Sequence, residues 1–124
     1  MNEYAPDYWQ VIKIVTPTET IYKLFSSWVG GYSNGDSWRL NSGITGIKKV
    51  EKVFQMTHGP KTLPIAYEIT GHSGSVYTVP ARENCYRTTA YTGNILQSMI
   101  DKVENELEYE IQVLPFDTDW EKLV

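Results

Sequence analysis

Two stretches of apolar residues near the start of the chain predict a pair of strands. Tyr8 to Val15 is rich in the β-branched and aromatic side chains that favour strands. The stretch 21–29 is apolar on both faces of a two-residue period, with Ile21, Phe25 and Val29 on one face and Tyr22, Leu24 and Trp28 on the other. That pattern is typical of a strand with little solvent exposure. Because Thr16-Pro17-Thr18-Glu19 has turn chemistry, we predict an antiparallel hairpin.

The apolar region that follows admits two interpretations. Residues 38–41 and 44–56 fit a third strand interrupted at Gly43 or Gly46. The apolar positions Ile44, Ile47, Val50, Val53 and Phe54 also fit the spacing of a helix. We favour the strand, because Thr45, Gly46 and the valines are poor helix formers.

Glycine and proline mark the connections in the middle of the chain. Residues 30–36 are predicted as a glycine-rich loop, and residues 57–64 as a loop because they contain Pro60 and Pro64. Residues 65–70 and 75–79 are predicted as two short strands. The glycines at both ends of Gly71-His72-Ser73-Gly74 favour a hairpin connection between them.

One amphipathic helix is predicted near the C-terminus, after an irregular stretch at 82–91. It begins near Thr92 or Gly93, with Thr92 as the N-cap residue, and ends at Leu107. Its apolar stripe consists of Ile95, Leu96, Met99, Ile100, Val103 and Leu107. Residues 109–114 alternate as a last strand, and the tail 116–124 is interpreted as suited to subunit contacts.

This order of elements predicts an α+β domain. We expect a curved, mainly antiparallel sheet or small open barrel of about six strands, with the helix on one face. The 124 residues fit one domain spanning 1–124. An apolar fraction of 41% and a charged fraction of 21% are typical of a globular protein.

Charge argues against a general nucleic-acid partner. The net charge is −4, and the chain has 11 Lys and Arg residues. Affinity for nucleic acid depends heavily on Lys and Arg contacts with phosphates. The one dense basic cluster is Lys48, Lys49 and Lys52. We therefore expect no binding of duplex DNA.

Cysteine and histidine usage predicts neither a metal site nor a disulfide. Cys85 is the only cysteine, and His58 and His72 lie far apart in sequence, so no standard zinc pattern is present. We expect no cofactor. No apolar run approaches the ~20 residues of a membrane helix. Residues 1–4 lack the features of a secretion signal. We therefore expect an intracellular protein without a membrane partner.

Three segments form the candidate ligand-binding surface: the loop 30–41, the turn 71–75 and the stretch 82–87. Backbone N–H groups of glycine-rich turns and the forked donors of arginine both bind anions. The candidate residues are Trp28, Trp38, Arg39, Asn41, His72, Ser73, Ser75, Arg82 and Arg87. The alternatives are ordinary loops for the glycines, surface ion pairs for the arginines and core packing for the tryptophans.

No catalytic residue is predicted. The sequence Gly71-His72-Ser73-Gly74-Ser75 lacks the final glycine of a nucleophile elbow, and predicted strands flank it rather than a strand and a helix. Cys85 has no histidine beside it to activate the thiol. The interpretation is a tight turn and an unreactive thiol.

Several segments resemble a family of small uncharacterised proteins encoded by marine cyanophages. The resemblance rests on residues 7–9, 27–32, 35–44, 71–77, 114–115 and 118–120, and the block 35–44, Gly-Asp-Ser-Trp-Arg-Leu-Asn-Ser-Gly-Ile, is its most specific part. The chain departs from the family pattern at 48–64 and 82–87. The resemblance implies a viral accessory protein in the cytoplasm of an infected bacterial host. It implies no reaction.

The functional expectation is a non-enzymatic binding or host-modulating protein. Its partner would be a small anionic ligand such as a nucleotide, or a host protein. The alternative is a small virion or assembly protein that forms a homo-oligomer, for which the many Tyr and Trp residues are suited. An enzyme of unrecognised class is the third hypothesis.

Overall fold

The computed structural model describes residues 2–30 and 35–124. Strands make up 49% of the described residues, which also contain one α-helix. The elements are β1 (Glu3–Tyr4), β2 (Tyr8–Val15), β3 (Thr20–Trp28), β4 (Ser37–Leu40), β5 (Ile44–Met56), β6 (Gly59–Gly71), β7 (Val76–Pro80), α1 (Ala90–Leu107) and β8 (Glu110–Val113). Single turns of 3₁₀ helix lie at Glu83–Cys85 and Trp120–Lys122.

The strands form two four-stranded sheets rather than one curved sheet or a barrel. Sheet A has the order β1-β7-β6-β5, and sheet B has the order β4-β3-β2-β8. A shared core joins them, with Trp9 and Leu24 from sheet B packed in one cluster with Ile69 and Val79 from sheet A. The α+β prediction therefore holds broadly, while the prediction of a single six-stranded sheet or open barrel is wrong.

The chain crosses from sheet B to sheet A at residues 41–43. The predicted interruption of the third strand at Gly43 is present, but it separates β4 from β5, which belong to different sheets. Gly43 has a φ of 130°, which side chains disfavour. A Cβ atom at this position would also lie 2.8 Å from Cδ2 of His72. Glycine is therefore required where the two sheets diverge.

The first predicted hairpin is confirmed. Strands β2 and β3 pair antiparallel from Tyr8 opposite Ser27 to Val15 opposite Thr20. In the turn, the Thr16 hydroxyl accepts a hydrogen bond from the N–H of Glu19 at 3.0 Å. The two faces of β3 pack against different partners, as the two-residue period indicates. Leu24 packs in the core between the sheets, whereas Phe25 packs in the cluster beside α1.

The prediction of a loop at 57–64 is wrong. Thr57 and His58 alone form the turn, and β5 and β6 pair over their full length up to Met56 opposite Gly59. Within β6, only residues 66–70 pair with β7. Residues 51–56 and 59–64 thus form a two-stranded extension of sheet A, which we call the ribbon. Because proline is accepted where a strand lacks a second neighbour, Pro60 and Pro64 fit there.

Helix α1 begins earlier than its pattern predicts. The N-cap residue is Thr89, and Thr92 is the third helical residue. The Thr89 hydroxyl accepts from the Thr92 N–H at 3.1 Å, while the Thr92 hydroxyl accepts from the Thr89 N–H at 2.9 Å. This reciprocal pair satisfies two backbone donors at the helix start. The predicted end at Leu107 is confirmed, and Leu96 packs with Ile12 and Phe25 of sheet B.

The C-terminal tail is part of the core, contrary to its interpretation as a segment for subunit contacts. Trp120 is buried, and its ring centroid lies 5.3 Å from that of Trp9. The Trp120 indole donates a hydrogen bond of 3.0 Å to the carbonyl oxygen of Phe116. The tail therefore closes one side of the core between the sheets.

Candidate functional site

Arg39 connects the two sheets on the side where β4 faces β1 and β7. Its Nε donates a hydrogen bond of 3.0 Å to the Tyr77 hydroxyl, and its guanidinium carbon lies 4.6 Å from the Tyr4 ring centroid. The Tyr4 ring stacks on Tyr77 at 4.8 Å and meets the edge of Trp28 at 6.2 Å. We call Tyr4, Trp28, Arg39 and Tyr77 the Arg39 cluster.

Backbone pairing explains why these four side chains meet. Strand β1 runs parallel to β7, with Tyr4 opposite Tyr77. Arg39 of β4 lies opposite Ser26 of β3. The small side chain of Ser26 leaves room for the guanidinium to reach the other sheet. Tyr77 lies in β7, and its position beside Arg39 follows from the pairing of β1 with β7 and from the packing of the two sheets rather than from a local sequence pattern.

The Arg39 guanidinium is held on one side and accessible on the other. The residue is exposed, and within 2–30 and 35–124 no carboxylate forms an ion pair with it. Arginine presents its remaining N–H groups as a planar fork that matches phosphate and carboxylate oxygens. The cluster can therefore bind an anionic group without displacing an internal partner among the described residues.

The candidate residues of the loop and the turn also meet at this side. The His72 N–H donates to the Gly43 carbonyl oxygen at 3.0 Å, and the Ser73 N–H donates to the Ser42 hydroxyl at 3.0 Å. The hydroxyls of Ser73 and Ser75 lie 3.3 Å apart. These contacts gather a row of polar groups, which we call the polar edge, and its members Asn41 and Ser75 lie two residues from Arg39 and Tyr77 in the chain. The polar edge comprises Asn41, Ser42, His72, Ser73 and Ser75.

Asn41 organises the polar edge from within the core. The residue is 5% exposed, and its Oδ1 accepts hydrogen bonds from the N–H groups of Leu24 at 2.7 Å and Gly43 at 3.3 Å. Its Nδ2 has no hydrogen-bond partner among the described residues. A Cβ atom at Gly71 would lie 3.2 Å from this nitrogen, so glycine allows the close approach. Asn41 thus positions the crossover between the sheets.

Trp38 and Arg87 lie on the opposite face of sheet B, beside α1. The Trp38 ring stacks on Phe25 with a centroid distance of 5.8 Å and remains partly exposed. The Arg87 guanidinium lies 5.2 Å from the Tyr8 ring, and its Nε donates to the Thr88 carbonyl oxygen at 3.1 Å. Arg82 is exposed, and no side-chain hydrogen bond or ion pair involves it in the described parts. The nine candidates therefore do not form one surface.

The carboxylate of Asp36 lies near the start of α1. The Asp36 Oδ1 accepts a hydrogen bond of 2.9 Å from the Gly30 N–H. The Gly30 N–H, followed by the Thr89 side chain, lowers the pKa of Asp36 from its usual value. Residues 31–34 of the predicted loop lie outside the described residues. An external anion at this helix end would have to compete with Asp36.

Metal and membrane sites are not evident in the described parts of the chain. No group of three His, Cys, Asp or Glu residues among residues 2–30 and 35–124 is placed to hold a metal ion. The helix found in these ranges is not long and apolar enough to cross a membrane. Comparison of the chain with protein-family models, curated proteins and solved structures finds no match.

Proposed function

We propose that the protein is a non-enzymatic binding protein that holds an anionic small molecule, such as a nucleotide, at the Arg39 cluster. The observation that carries this proposal is the fixed guanidinium, which Tyr77 and Tyr4 hold in place while no carboxylate of the described residues neutralises it. Together with the resemblance to cyanophage proteins, this supports a role as a viral accessory protein in the cytoplasm of an infected bacterium.

Preorganisation is the physical basis of the proposal. A flexible arginine loses side-chain entropy when it binds a ligand, at a cost of roughly 0.5–1.5 kcal/mol. Arg39 has lost part of that freedom in the unbound protein, because two tyrosines already restrain it. Beside it, the half-buried rings of Tyr4 and Trp28 offer aromatic surface on which a base can pack. Phosphate and base therefore have neighbouring binding elements.

Substitution of Arg39 tests the proposed site. A set of nucleoside monophosphates and triphosphates would be titrated into the protein by calorimetry. We expect at least one of them to bind with one-to-one stoichiometry. Arg39→Lys should weaken that binding at least about tenfold, because lysine cannot present a planar fork. Binding should also weaken with added salt.

Arg82→Ala is the matched control, because Arg82 is an exposed arginine without a described side-chain partner. It should bind as the parent does. If no nucleotide binds, or if Arg39→Lys binds equally well, the proposal is wrong. In that case Arg39→Ala should only lower the melting temperature, as expected of an arginine that simply joins the two sheets.

A second candidate function, assembly of several copies, is favoured by the ribbon. Three large apolar side chains on or beside it are exposed, namely Val53 at 56%, Met56 at 49% and Ile65 at 42%. A two-stranded hairpin is only marginally stable alone in water, so a ribbon with exposed apolar groups gains from a partner. Lys52 and Lys61 on the ribbon and Lys48 beside it form a basic area, whereas exposed glutamates at 104, 106 and 108 make the end of α1 acidic. This charge complementarity favours a second copy of the chain as partner.

Light scattering tests this second function. We expect the molar mass of the unmodified protein to exceed that of one chain and to fall with added salt, because exposed charge pairs are screened. Val53→Asp should reduce the mass to one chain. Val124→Asp introduces the same charge at another exposed apolar position, and should leave the mass unchanged. A single-chain mass at every soluble concentration would exclude self-association.

A further inference from the structure

A cavity of about 150 Å³ lies between α1 and the outer face of sheet B. Ile12 and Ile111 form its floor on β2 and β8, Leu40 lies on β4, and Leu96 and Met99 come from the helix. Lys102 is the one charged residue that lines it, and it does so through its aliphatic stem, because the lining is almost wholly apolar. This cavity is on the opposite side of sheet B from the Arg39 cluster.

Differences in side-chain size along α1 account for the cavity. At the first turn, the Thr92 and Ser27 hydroxyls lie 3.0 Å apart, so two small residues bring the helix close to the sheet. Further along, the helix meets the sheet through longer side chains such as Leu96 and Met99, and the space between them is not filled. Well-packed cores rarely contain voids much larger than a water molecule.

From these features we infer that the cavity binds an aliphatic monocarboxylate with a tail of about six carbons, whose carboxylate pairs with Lys102. The cavity is almost wholly apolar and partly open to solvent, and an apolar space near 150 Å³ can hold a hydrocarbon of about the size of benzene. A hydrocarbon tail would therefore fill the cavity and remove its apolar lining from water. The inference concerns a site separate from the Arg39 cluster and does not depend on it.

Lys102 supplies the charge that selects an acid over a neutral ligand. The lysine is exposed at the edge of the cavity, and no ion pair involves it within the described ranges. Its neighbour Asp101 instead accepts a hydrogen bond of 2.9 Å from Gln97. The ammonium group is thus available for the carboxylate of a ligand whose tail lies among the aliphatic side chains.

A chain-length series on the unmodified protein tests the size of the ligand. Dissociation constants for butanoate, hexanoate, octanoate and decanoate would be measured by calorimetry or by NMR shifts. We expect affinity to rise about fourfold for each added methylene, which corresponds to the transfer of one CH₂ group from water. The rise should stop when the tail reaches about six carbons. Absence of saturable binding, or a rise that continues through decanoate, would overturn the inference.

Two variants test the location and the charge. Val103→Phe places a ring in the cavity and should weaken hexanoate binding at least about tenfold. Lys102→Gln should remove the preference for hexanoate over hexanol, whereas Lys61→Gln, on the ribbon, should keep it. Arg39→Ala should bind hexanoate normally, which separates this site from the nucleotide site. Equal binding of hexanoate and hexanol by the unmodified protein would overturn the role of Lys102.

Discussion

Replacement of Trp9 with alanine is expected to lower the free energy of unfolding by about 3–5 kcal/mol, the largest effect of any substitution considered. The Trp9 side chain is 0% exposed and lies at the centre of an aromatic group. Its ring centroid lies 4.7 Å from Tyr86 and 5.3 Å from Trp120. Alanine would leave a large cavity between the sheets and would remove one of the aromatic contacts that hold the C-terminal tail.

The Trp9 indole also makes a hydrogen bond that alanine cannot replace. Its Nε1 donates to the Pro80 carbonyl oxygen at 2.8 Å, which links β2 to the end of β7. Trp9→Phe keeps much of the ring and should have an intermediate effect. Trp38→Ala is the control, because Trp38 is partly exposed and should cost less. Denaturant unfolding followed by circular dichroism measures all three, and a loss below about 1 kcal/mol for Trp9→Ala would contradict this account of the core.

Local sequence patterns were sufficient for the hairpin of β2 and β3 and for the apolar face of α1. In both, the contacts that decide the structure lie between residues close in sequence. The two-residue period places Leu24 and Phe25 on different faces, and the helical period identifies Leu96 as a core residue. The helix start was misplaced because Thr89 and Thr92 both have the chemistry of an N-cap residue.

Contacts between distant segments were not predictable in the same way. Trp120 packs against Trp9, a residue more than a hundred positions earlier, and no local pattern indicates that pairing. The division into two sheets depends on a short crossover at Gly43, which alone resembles an ordinary break in a strand. The ribbon was missed because Pro60 and Pro64 are typical of loops unless the edge position of their strand is known.

The candidate site was predicted in part. Arg39 and four residues of the polar edge, namely Asn41, His72, Ser73 and Ser75, were identified from residue chemistry, but Ser42 was not. Tyr4 was also missed, because a two-residue strand carries no periodic signal. Arg87 was grouped with Arg39 by charge, although it lies over Tyr8 near α1. Charge type indicates which residues can bind an anion, whereas only the sheet pairing determines which of them lie together.

Removal of the Tyr86 hydroxyl is the second large expected effect. The hydroxyl accepts a hydrogen bond of 3.1 Å from the Val11 N–H and donates one to the Leu114 carbonyl oxygen. It thus bridges two backbone groups where β2 and the chain after β8 separate. Tyr86→Phe keeps the ring against Trp9 but leaves both groups without this partner, which should lower the free energy of unfolding by about 1–3 kcal/mol. Tyr91→Phe changes an exposed tyrosine and should have no effect.

The pH dependence of unfolding distinguishes this hydroxyl from a simple packing effect. Burial raises the pKa of Tyr86 to about 12 from the usual 10.0, and the Val11 N–H partly opposes the rise. Below pH 10 the hydroxyl is protonated in both the folded and the unfolded chain, so its full contribution to stability is present. Between about pH 10 and 12 the unfolded chain loses this proton first, and the contribution of up to about 2 kcal/mol is lost. Tyr67, whose pKa is also raised by burial, contributes in the same direction and remains in the variant.

The difference in unfolding free energy between the parent and Tyr86→Phe should therefore be largest near pH 8 and should shrink as the pH approaches 12. A difference close to zero at every pH would mean that Tyr86 stabilises the fold through its ring alone, and a nonzero difference that stays constant over this range would contradict the raised pKa.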